Sequence, residues 1–227
     1  MIRDPERFFS ELKKKRVGVV GLGVSHFALI RLMLKKGIGV TVLDKREMEA
    51  LGEDGRTLEK EGARFILGDG YLDALTSFDV LFRTPGMYFL SDALNKARAA
   101  GVSVVSEMEV FFDLCPCRVF AVTGSDGKTT TSTLISEFFK AEGKTVHLGG
   151  NIGRALLPQI EEIKPEDICV VELSSFQLIS MRQSPDVAVV TNVAPNHLDV
   201  HRDMQEYIDA KKNILLHQNC FSRTVLN

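Results

Sequence analysis

The feature that most limits how this chain can fold is a rhythm: short β-branched runs alternate with amphipathic helical patterns nearly from end to end. Parallel neighbours in a sheet need a crossover between them, most compactly a helix, so this alternation reads as βαβ units. The strand candidates are Arg16–Val20, Val40–Leu43, Arg64–Leu67, Val80–Phe82, Val102–Val105, Arg118–Val122, Thr145–Leu148, Ile168–Leu173, Val187–Thr191 and Thr224–Leu226. Helical patterns such as Ser25–Lys36, Ser91–Ala100, Lys128–Glu142 and Met204–His217 lie between them. An α/β fold with parallel sheets follows. Ten strands exceed one ordinary doubly wound sheet, and the break is expected near Val105–Glu107, where Cys115-Pro116-Cys117 precedes a fresh apolar strand with its own glycine-rich loop. The expected division is 1–105 and 106–227.

With 227 residues, 44% of them hydrophobic, the chain can build one large or two small cores. Acids and bases are interspersed to a net charge of −2, which leaves no basic stripe to follow a phosphate backbone, so no nucleic-acid partner is expected. No apolar run approaches the roughly 20 residues of a membrane span, and Met1-Ile2-Arg3-Asp4-Pro5 is charged rather than signal-like. A soluble cytoplasmic protein without a membrane partner is the expectation. Of Cys115, Cys117, Cys169 and Cys220 only the first two are close, and their C-x-C spacing lacks a second Cys or His pair to complete a zinc site. They read as reduced, structural thiols. The chain stops at Ser222–Asn227, which reads as a strand just beginning.

The first strand runs into Gly21-Leu22-Gly23-Val24-Ser25-His26, two glycines at a strand-to-helix turn where backbone can approach a phosphate. Asp44 follows Gly23 by 21 residues, at a strand end suited to a ribose hydroxyl. The third glycine of G-x-G-x-x-G is replaced by His26, and the turn alone fits a nicotinamide fold, a nucleotide-sugar site or a structural bend. Thr84-Pro85-Gly86, at the end of the fourth strand, reads on its own as a turn.

The sixth strand leads into Thr123-Gly124-Ser125-Asp126-Gly127-Lys128-Thr129-Thr130 and then a helix. This is a phosphate loop: amides cradle phosphates, the lysine follows the migrating phosphoryl group, and the first Thr hydroxyl ligates Mg²⁺. Val122 occupies the usual first-glycine position, so the loop is a shortened form. Glu172, ending a hydrophobic strand, is either a second metal ligand or an edge or capping carboxylate. His197, in the cluster 191–199, is equally balanced between structural and functional roles. In the last helix Met204, Tyr207, Ile208, Ile214 and Leu215 mark the apolar side, which makes Lys211 and Lys212 read as solvated charges.

Five ordered blocks, GLG at 21–23, TGSDGKTT at 123–130, GGNIG at 149–153, ELSSFQL at 172–178 and NVAPNHLD…YIDAKK over 192–212, resemble the Mur ligase family, within it the branch that adds D-glutamate. The resemblance implies a Rossmann-like UDP-binding domain followed by a partial P-loop ATPase-type central domain, with a third domain not represented. It implies ATP-dependent ligation of D-glutamate to UDP-N-acetylmuramoyl-L-alanine through an acyl phosphate in peptidoglycan synthesis, by a monomer, with little turnover from this chain alone. Another ligase of the superfamily, such as a folylpolyglutamate synthase type, or a nonenzymatic UDP-sugar-binding module is the alternative. Carried over by motif, Gly124, Ser125, Asp126, Gly127, Lys128, Thr129 and Thr130 bind ATP. Thr129 and Glu172 hold one Mg²⁺ and His197 and Lys211 a second, with Lys211 carbamylated by CO₂, which reverses its reading as a solvated charge. Lys128, His197 and Lys211 are the implied catalytic residues. Val24, Ser25, Asp44, Lys45, Arg46, Thr84, Gly86, Asn151, Ser174 and His197 are the implied substrate contacts.

Overall fold

The computed structural model describes residues 4–196 and 200–227. The chain divides into two compact units, residues 4–107 and 108–227. In the first, α1 (Pro5–Leu12) precedes β1 (Val17–Val20), α2 (Val24–Lys35), β2 (Val40–Asp44), α3 (Met48–Lys60), β3 (Arg64–Leu67), β4 (Val80–Arg83), α4 (Asp92–Ala99) and β5 (Ser103–Val105). The five strands pair in parallel in the order β3-β2-β1-β4-β5. The chain therefore reverses its direction of winding between β1 and β4, and in such sheets the crevice for a ligand opens beyond the carboxyl ends of those strands.

The second unit contains most of α5 (Glu107–Leu114), then β6 (Arg118–Thr123), α6 (Lys128–Ala141), β7 (Val146–Gly150), β8 (Ile168–Glu172), α7 (Ser175–Leu178), β9 (Val187–Val190), α8 (Met204–Leu216) and β10 (Arg223–Leu226). Its sheet is also parallel, in the order β10-β9-β6-β8-β7. β6 stands at the reversal, flanked by β8 and β9. Every residue of β8 is buried, as expected of a parallel strand covered on both faces. The α/β class read from the alternation is the class observed.

Similar anchors tie the roots of both sheets. Asp79, just before β4, accepts the Arg16 amide at 2.7 Å and a guanidinium fork from the same residue, with Nη2 to Oδ1 at 2.8 Å. The Arg16 side-chain hydrogen bond draws the Asp79 carboxyl down to about 2. Asp186, just before β9, accepts the Val119 amide at 2.8 Å. Elsewhere, local chemistry sets the elements the named helical patterns did not include. Asp4 caps α1 by accepting the Arg7 amide at 3.0 Å, with Pro5 in the first turn. α3 is bent at Gly52, whose φ of 63° breaks the helical pattern. Among the described residues no helix is long and apolar enough to cross a membrane.

His26, at the third-glycine position, explains how the first glycine turn manages without that glycine. It is 1% exposed, and its Nδ1 lies 2.7 Å from the Gly21 carbonyl. A carbonyl only accepts, so Nδ1 carries the proton, while Nε2 has no hydrogen-bond partner among the described residues. The imidazole thereby ties the first turn of α2 to the loop it follows. Burial draws its pKa down from 6.5 to about 4, the Gly21 carbonyl opposing and the Arg83 charge assisting.

A neutral His26 has a stability consequence with a definite sign. The unfolded chain protonates this group near 6.5 and the folded chain near 4, so the unfolded state binds more protons between those values and stability is lost as pH falls through that window. The expected loss from this group is about 3 kcal/mol. His26→Gln, which keeps an N–H for the Gly21 carbonyl, should flatten this part of the urea-unfolding profile against pH; identical slopes for the two proteins would contradict a neutral, buried His26.

Candidate functional site

In each unit the sheet topology places a glycine turn at the end of a central strand. In the first, a cleft of about 610 Å³ opens at the ends of β1, β2 and β4, and its lining includes Gly21, Asp44, Lys45, Arg46, Thr84 and Gly86. Gly21 has φ of 82°, and a Cβ there would meet Thr84 Cγ2 at 2.7 Å, so the glycine turn and the end of β4 approach as closely as backbone allows. Asp44 is buried and uses both oxygens inside the cleft wall: Oδ2 accepts the Leu22 amide at 2.8 Å, and Oδ1 accepts the Arg46 amide at 3.0 Å. The Arg46 guanidinium forks onto the same carboxylate, at 3.0 Å to Oδ1 and 2.7 Å to Oδ2, and also donates to the Leu22 carbonyl. Burial pushes the carboxyl up, but these hydrogen bonds prevail and hold it below its ordinary value. Asp44 thus shapes the turn as well as facing the cleft.

Two expected contacts lie outside this lining. Val24 and Ser25 are the first residues of α2, with Val24 94% exposed, and neither lines the cleft. Conversely, Tyr71, Leu72, Met87 and Tyr88 line it without having been singled out by any motif. Their signal was faint: the chain has 3 tyrosines, and two of them follow strand ends beside a glycine turn. Glycine backbone, two basic residues and aromatic faces suit a ligand that joins phosphates to a planar ring.

In the second unit the loop after β6 is clamped by the segment after β9. Asn192 Oδ1 accepts the amides of Ser125 at 3.1 Å and Asp126 at 2.9 Å, and Thr191 Oγ1 donates to the Asp126 carbonyl at 2.6 Å. Ser125 Oγ donates to the Ala194 carbonyl at 2.8 Å, leaving it to accept from the Tyr207 hydroxyl at 2.9 Å. A Cβ on Gly124 would lie 1.9 Å from Thr191 Oγ1, so only glycine fits. Gly127, at φ of 78°, precedes α6, whose N-terminus has no side-chain cap. Its first-turn amides, those of Lys128, Thr129 and Thr130, face the loop side as donors for an anion. Lys128 Nζ lies across the loop, donating to the carbonyls of Gly124 at 3.0 Å and Ser125 at 2.8 Å.

Glu172 ends β8 beneath this loop, 1% exposed. Its Oε2 accepts from Thr129 Oγ1 at 2.7 Å and its Oε1 from Asn151 Nδ2 at 2.9 Å, while its carbonyl accepts the Asn151 amide at 2.8 Å. Gly150 permits that approach, since a Cβ there would meet the Glu172 carbonyl oxygen at 2.2 Å. Among the described residues no Lys, Arg or His forms an ion pair with Glu172. A buried carboxylate held only by a hydroxyl and an amide is short of a cation, and the oxygens gathered there suit a hard divalent ion.

Lys211 and Lys212 part company. Lys212 is exposed and pairs with Asp209 at 2.8 Å. Lys211 is buried, and its Nζ donates to the Gly124 carbonyl at 2.9 Å, 4.5 Å from the Tyr207 ring centroid. Burial first, and the Lys128 charge second, draw its pKa down to about 8. The stripe expected from Met204, Ile208 and Leu215 is only half-buried; the buried face of α8 is Glu206, Tyr207, Ala210, Lys211 and Ile214. The i, i+4, i+7 spacing of Tyr207, Lys211 and Ile214 carries the lysine inward. The solvated-charge reading of Lys211 from helical periodicity is therefore wrong.

Ser174 caps α7 in a reciprocal box with Gln177, its Oγ accepting the Gln177 amide at 3.3 Å. His197 lies outside the described residues. A histidine that no motif pointed to, His201, is 2% exposed; its Nε2 is 2.9 Å from Ser175 Oγ and its Nδ1 3.1 Å from Glu206 Oε1. Its ring stacks on Phe176 at 5.1 Å and meets the edge of Tyr207 at 5.5 Å. It joins the start of α7 to α8 and so supports the helix that carries Lys211.

Comparison with known proteins places both units in one family. Residues 15–106 match the model for the Mur ligase MurD-like, N-terminal domain, and residues 122–227 that for the Mur ligase middle domain. The chain is similar to the UDP-N-acetylmuramoylalanine–D-glutamate ligases of Clostridium botulinum (52% identical over 100% of this chain and 50% of the relative) and Acetivibrio thermocellus (52% over 97% and 47%). It thus spans about half the length of the curated relatives it matches. Among solved structures, the fold is similar to the UDP-N-acetylmuramate:L-alanyl-gamma-D-glutamyl-meso-diaminopimelate ligase of Neisseria meningitides, with TM-score 0.60 and 18% identity over 94% of this chain and 71% of that one. The UDP-N-acetylmuramate-alanine ligase of Thermotoga maritima gives TM-score 0.51 and 22% identity over 88% of this chain and 46% of that one.

The clamp on the phosphate loop is testable by its sterics. Gly124→Ala should lower the urea midpoint of the second unit, with a cost of about 1–3 kcal/mol. An unchanged midpoint would contradict the close packing of Gly124 on Thr191.

Proposed function

We propose that this chain, which belongs to the Mur ligase family, carries the UDP-sugar and ATP sites of a ligase that joins D-glutamate to UDP-N-acetylmuramoyl-L-alanine. The observation that carries the reading is the cation-deficient Glu172, hydrogen-bonded to Thr129 at the start of α6, beside a glycine loop whose Gly124 carbonyl accepts from both Lys128 and Lys211. The preference for D-glutamate over other amino acids rests on relatives of that name at about half identity along the whole chain.

A carboxylate is a poor electrophile toward an amine, and phosphorylation gives it a leaving group. In the first step an oxygen of the L-alanyl carboxylate bonds to the γ-phosphorus of ATP as the bond to the departing ADP oxygen breaks. In the second the D-glutamate amine adds to the acyl carbon, loses a proton, and phosphate departs. Both steps bring anions together, so the site's cations set the barrier. The first-turn amides of α6 hold phosphate oxygens, and Lys128, released from the Gly124 and Ser125 carbonyls, follows the transferring group.

Magnesium fits the hard oxygens of Thr129 and Glu172, which would hold one ion; His197 with a carbamylated Lys211 would hold a second. Bound there, the ions would neutralise phosphate charge. As a ligand to magnesium Lys211 would act as its carbamate, and its pKa of about 8 leaves part of it as free amine near neutrality. The lone pair of that amine bonds to the carbon of CO₂ and the nitrogen releases a proton, which turns a buried cation into a carbamate. In the first unit, Asp44, Lys45, Arg46, Thr84 and Gly86 would receive the UDP moiety, with Val24 and Ser25 at the helix N-terminus beside it. Asn151 and Ser174 would contact the acyl end.

Joining residues 1–227 to the remaining half of the Clostridium botulinum relative gives the direct test. Phosphate release should require ATP, UDP-N-acetylmuramoyl-L-alanine and D-glutamate together, and Lys128→Ala should lower it at least about 100-fold. Release driven by another amino acid would overturn the D-glutamate assignment, and release indifferent to Lys128→Ala would overturn the site.

A further inference from the structure

Three of the four cysteines, far apart in sequence, meet in the second unit away from the phosphate loop. Cys115 and Cys117 flank Pro116 in the turn from α5 into β6, and Cys169 is the second residue of β8. The register that pairs Val119 with Cys169 brings β8 against the strand two residues beyond Cys117. The Sγ atoms stand 3.7 Å (Cys115 to Cys117), 3.7 Å (Cys115 to Cys169) and 3.4 Å (Cys117 to Cys169) apart. All three residues are at most 2% exposed, and all are free thiols. The missing ligand of the C-x-C pair is thus supplied by sheet topology, which spacing along the chain does not reveal.

The triangle has the size of a coordination face. Three thiolates about 2.3 Å from a tetrahedral ion are spaced about 3.8 Å apart, so the trio needs shifts of only a few tenths of an ångström to close on one. An imidazole on the adjacent strand stands farther off, outside the group the three sulfurs form. His147 on β7 is opposite Cys169 in the parallel register, where facing side chains start about 4.8 Å apart, and its Nε2 lies 2.8 Å from Asp167 Oδ2.

We propose that Cys115, Cys117 and Cys169 form a three-thiolate site for a single thiophilic d¹⁰ cation of the zinc group. Binding breaks three S–H bonds and releases three protons, with no change of oxidation state. The ion lies at the roots of β6 and β8, whose far ends carry the phosphate loop and Glu172, and staples those two strands together at the end remote from the chemistry. The proposal does not depend on the ligase reading, because it concerns a different end of the sheet.

The test is a titration of the reduced, metal-free 227-residue chain with Cd²⁺, read by the thiolate-to-cadmium charge-transfer band and by competition with a chelator. One equivalent should bind with the band intensity of three thiolates, and Cd²⁺ added to the zinc-loaded chain should displace one equivalent of Zn²⁺ as the band appears. Cys117→Ser and Cys169→Ser, with folding checked by circular dichroism, should each weaken binding at least about 100-fold, while Cys220→Ser leaves it unchanged. Absence of the band in the wild-type chain would overturn the proposal whether or not the variants fold. So would a band that survives both substitutions, or one lost with Cys220. Cation bound through Glu172 and Thr129 gives no thiolate band and is thereby distinguished.

Discussion

A carboxylate buried at the end of a strand must find positive charge or lose its own, and Glu172 is where that constraint bears on this chain. Its two oxygens are met by neutral donors, Thr129 and Asn151, which arrive from opposite sides: one from the first turn of the helix after the phosphate loop, the other from the glycine-rich turn after β7. Those two segments can meet over Glu172 only because β8 lies between β7 and β6, each in parallel register. The glycines then follow from the closeness of approach. Gly150 and Gly124 sit where a Cβ would strike the Glu172 carbonyl or Thr191.

The two units place a glycine turn at the end of a central strand by the same route and furnish it differently. Each has a five-stranded parallel sheet whose winding reverses beside the strand that feeds a glycine turn. In the second unit the turn is followed by Lys128, and the buried Lys211 beside it holds its own positive charge only weakly. In the first, the place after the glycines is taken by His26, which is neutral and hydrogen-bonds the loop itself, and among the described residues the unpaired positive charge at the next strand end is that of Lys45, since Arg46 is forked onto Asp44. Phosphoryl chemistry needs mobile charge at the phosphate, whereas binding alone needs shape and a few fixed contacts.

Local pattern made the strands and both glycine turns legible, because period, turn residues and β-branching act within a few residues of one another. All ten strand candidates overlap observed strands, and the shortened phosphate loop leads a helix as its motif requires. What was not legible depended on contacts across the sheet. Helical periodicity alone makes Lys211 read as solvated, the motif resemblance reverses that, and the buried face of α8 runs through Tyr207, Lys211 and Ile214. Cys169 is 52 residues from Cys117 along the chain yet touches it through strand pairing. His201 is anchored by Ser175 and Glu206, and nothing nearby in sequence marks it as buried. Tyr71 and Tyr88 line the first cleft from loops whose course no periodicity describes. Motif resemblance named Asp44 as a ligand contact, but it took the hydrogen-bond geometry to reveal how much of that carboxylate is committed to Leu22 and Arg46.

The central claim is that Thr129 and Glu172 share a divalent cation with bound nucleotide. A double-mutant cycle on binding of a nonhydrolysable ATP analogue, using Thr129→Val and Glu172→Gln with and without Mg²⁺, addresses it most directly. A shared ion predicts that the two substitutions are more strongly coupled with Mg²⁺ present than in its absence, where only their direct hydrogen bond links them. Additivity under both conditions, or the same coupling without Mg²⁺, would contradict it.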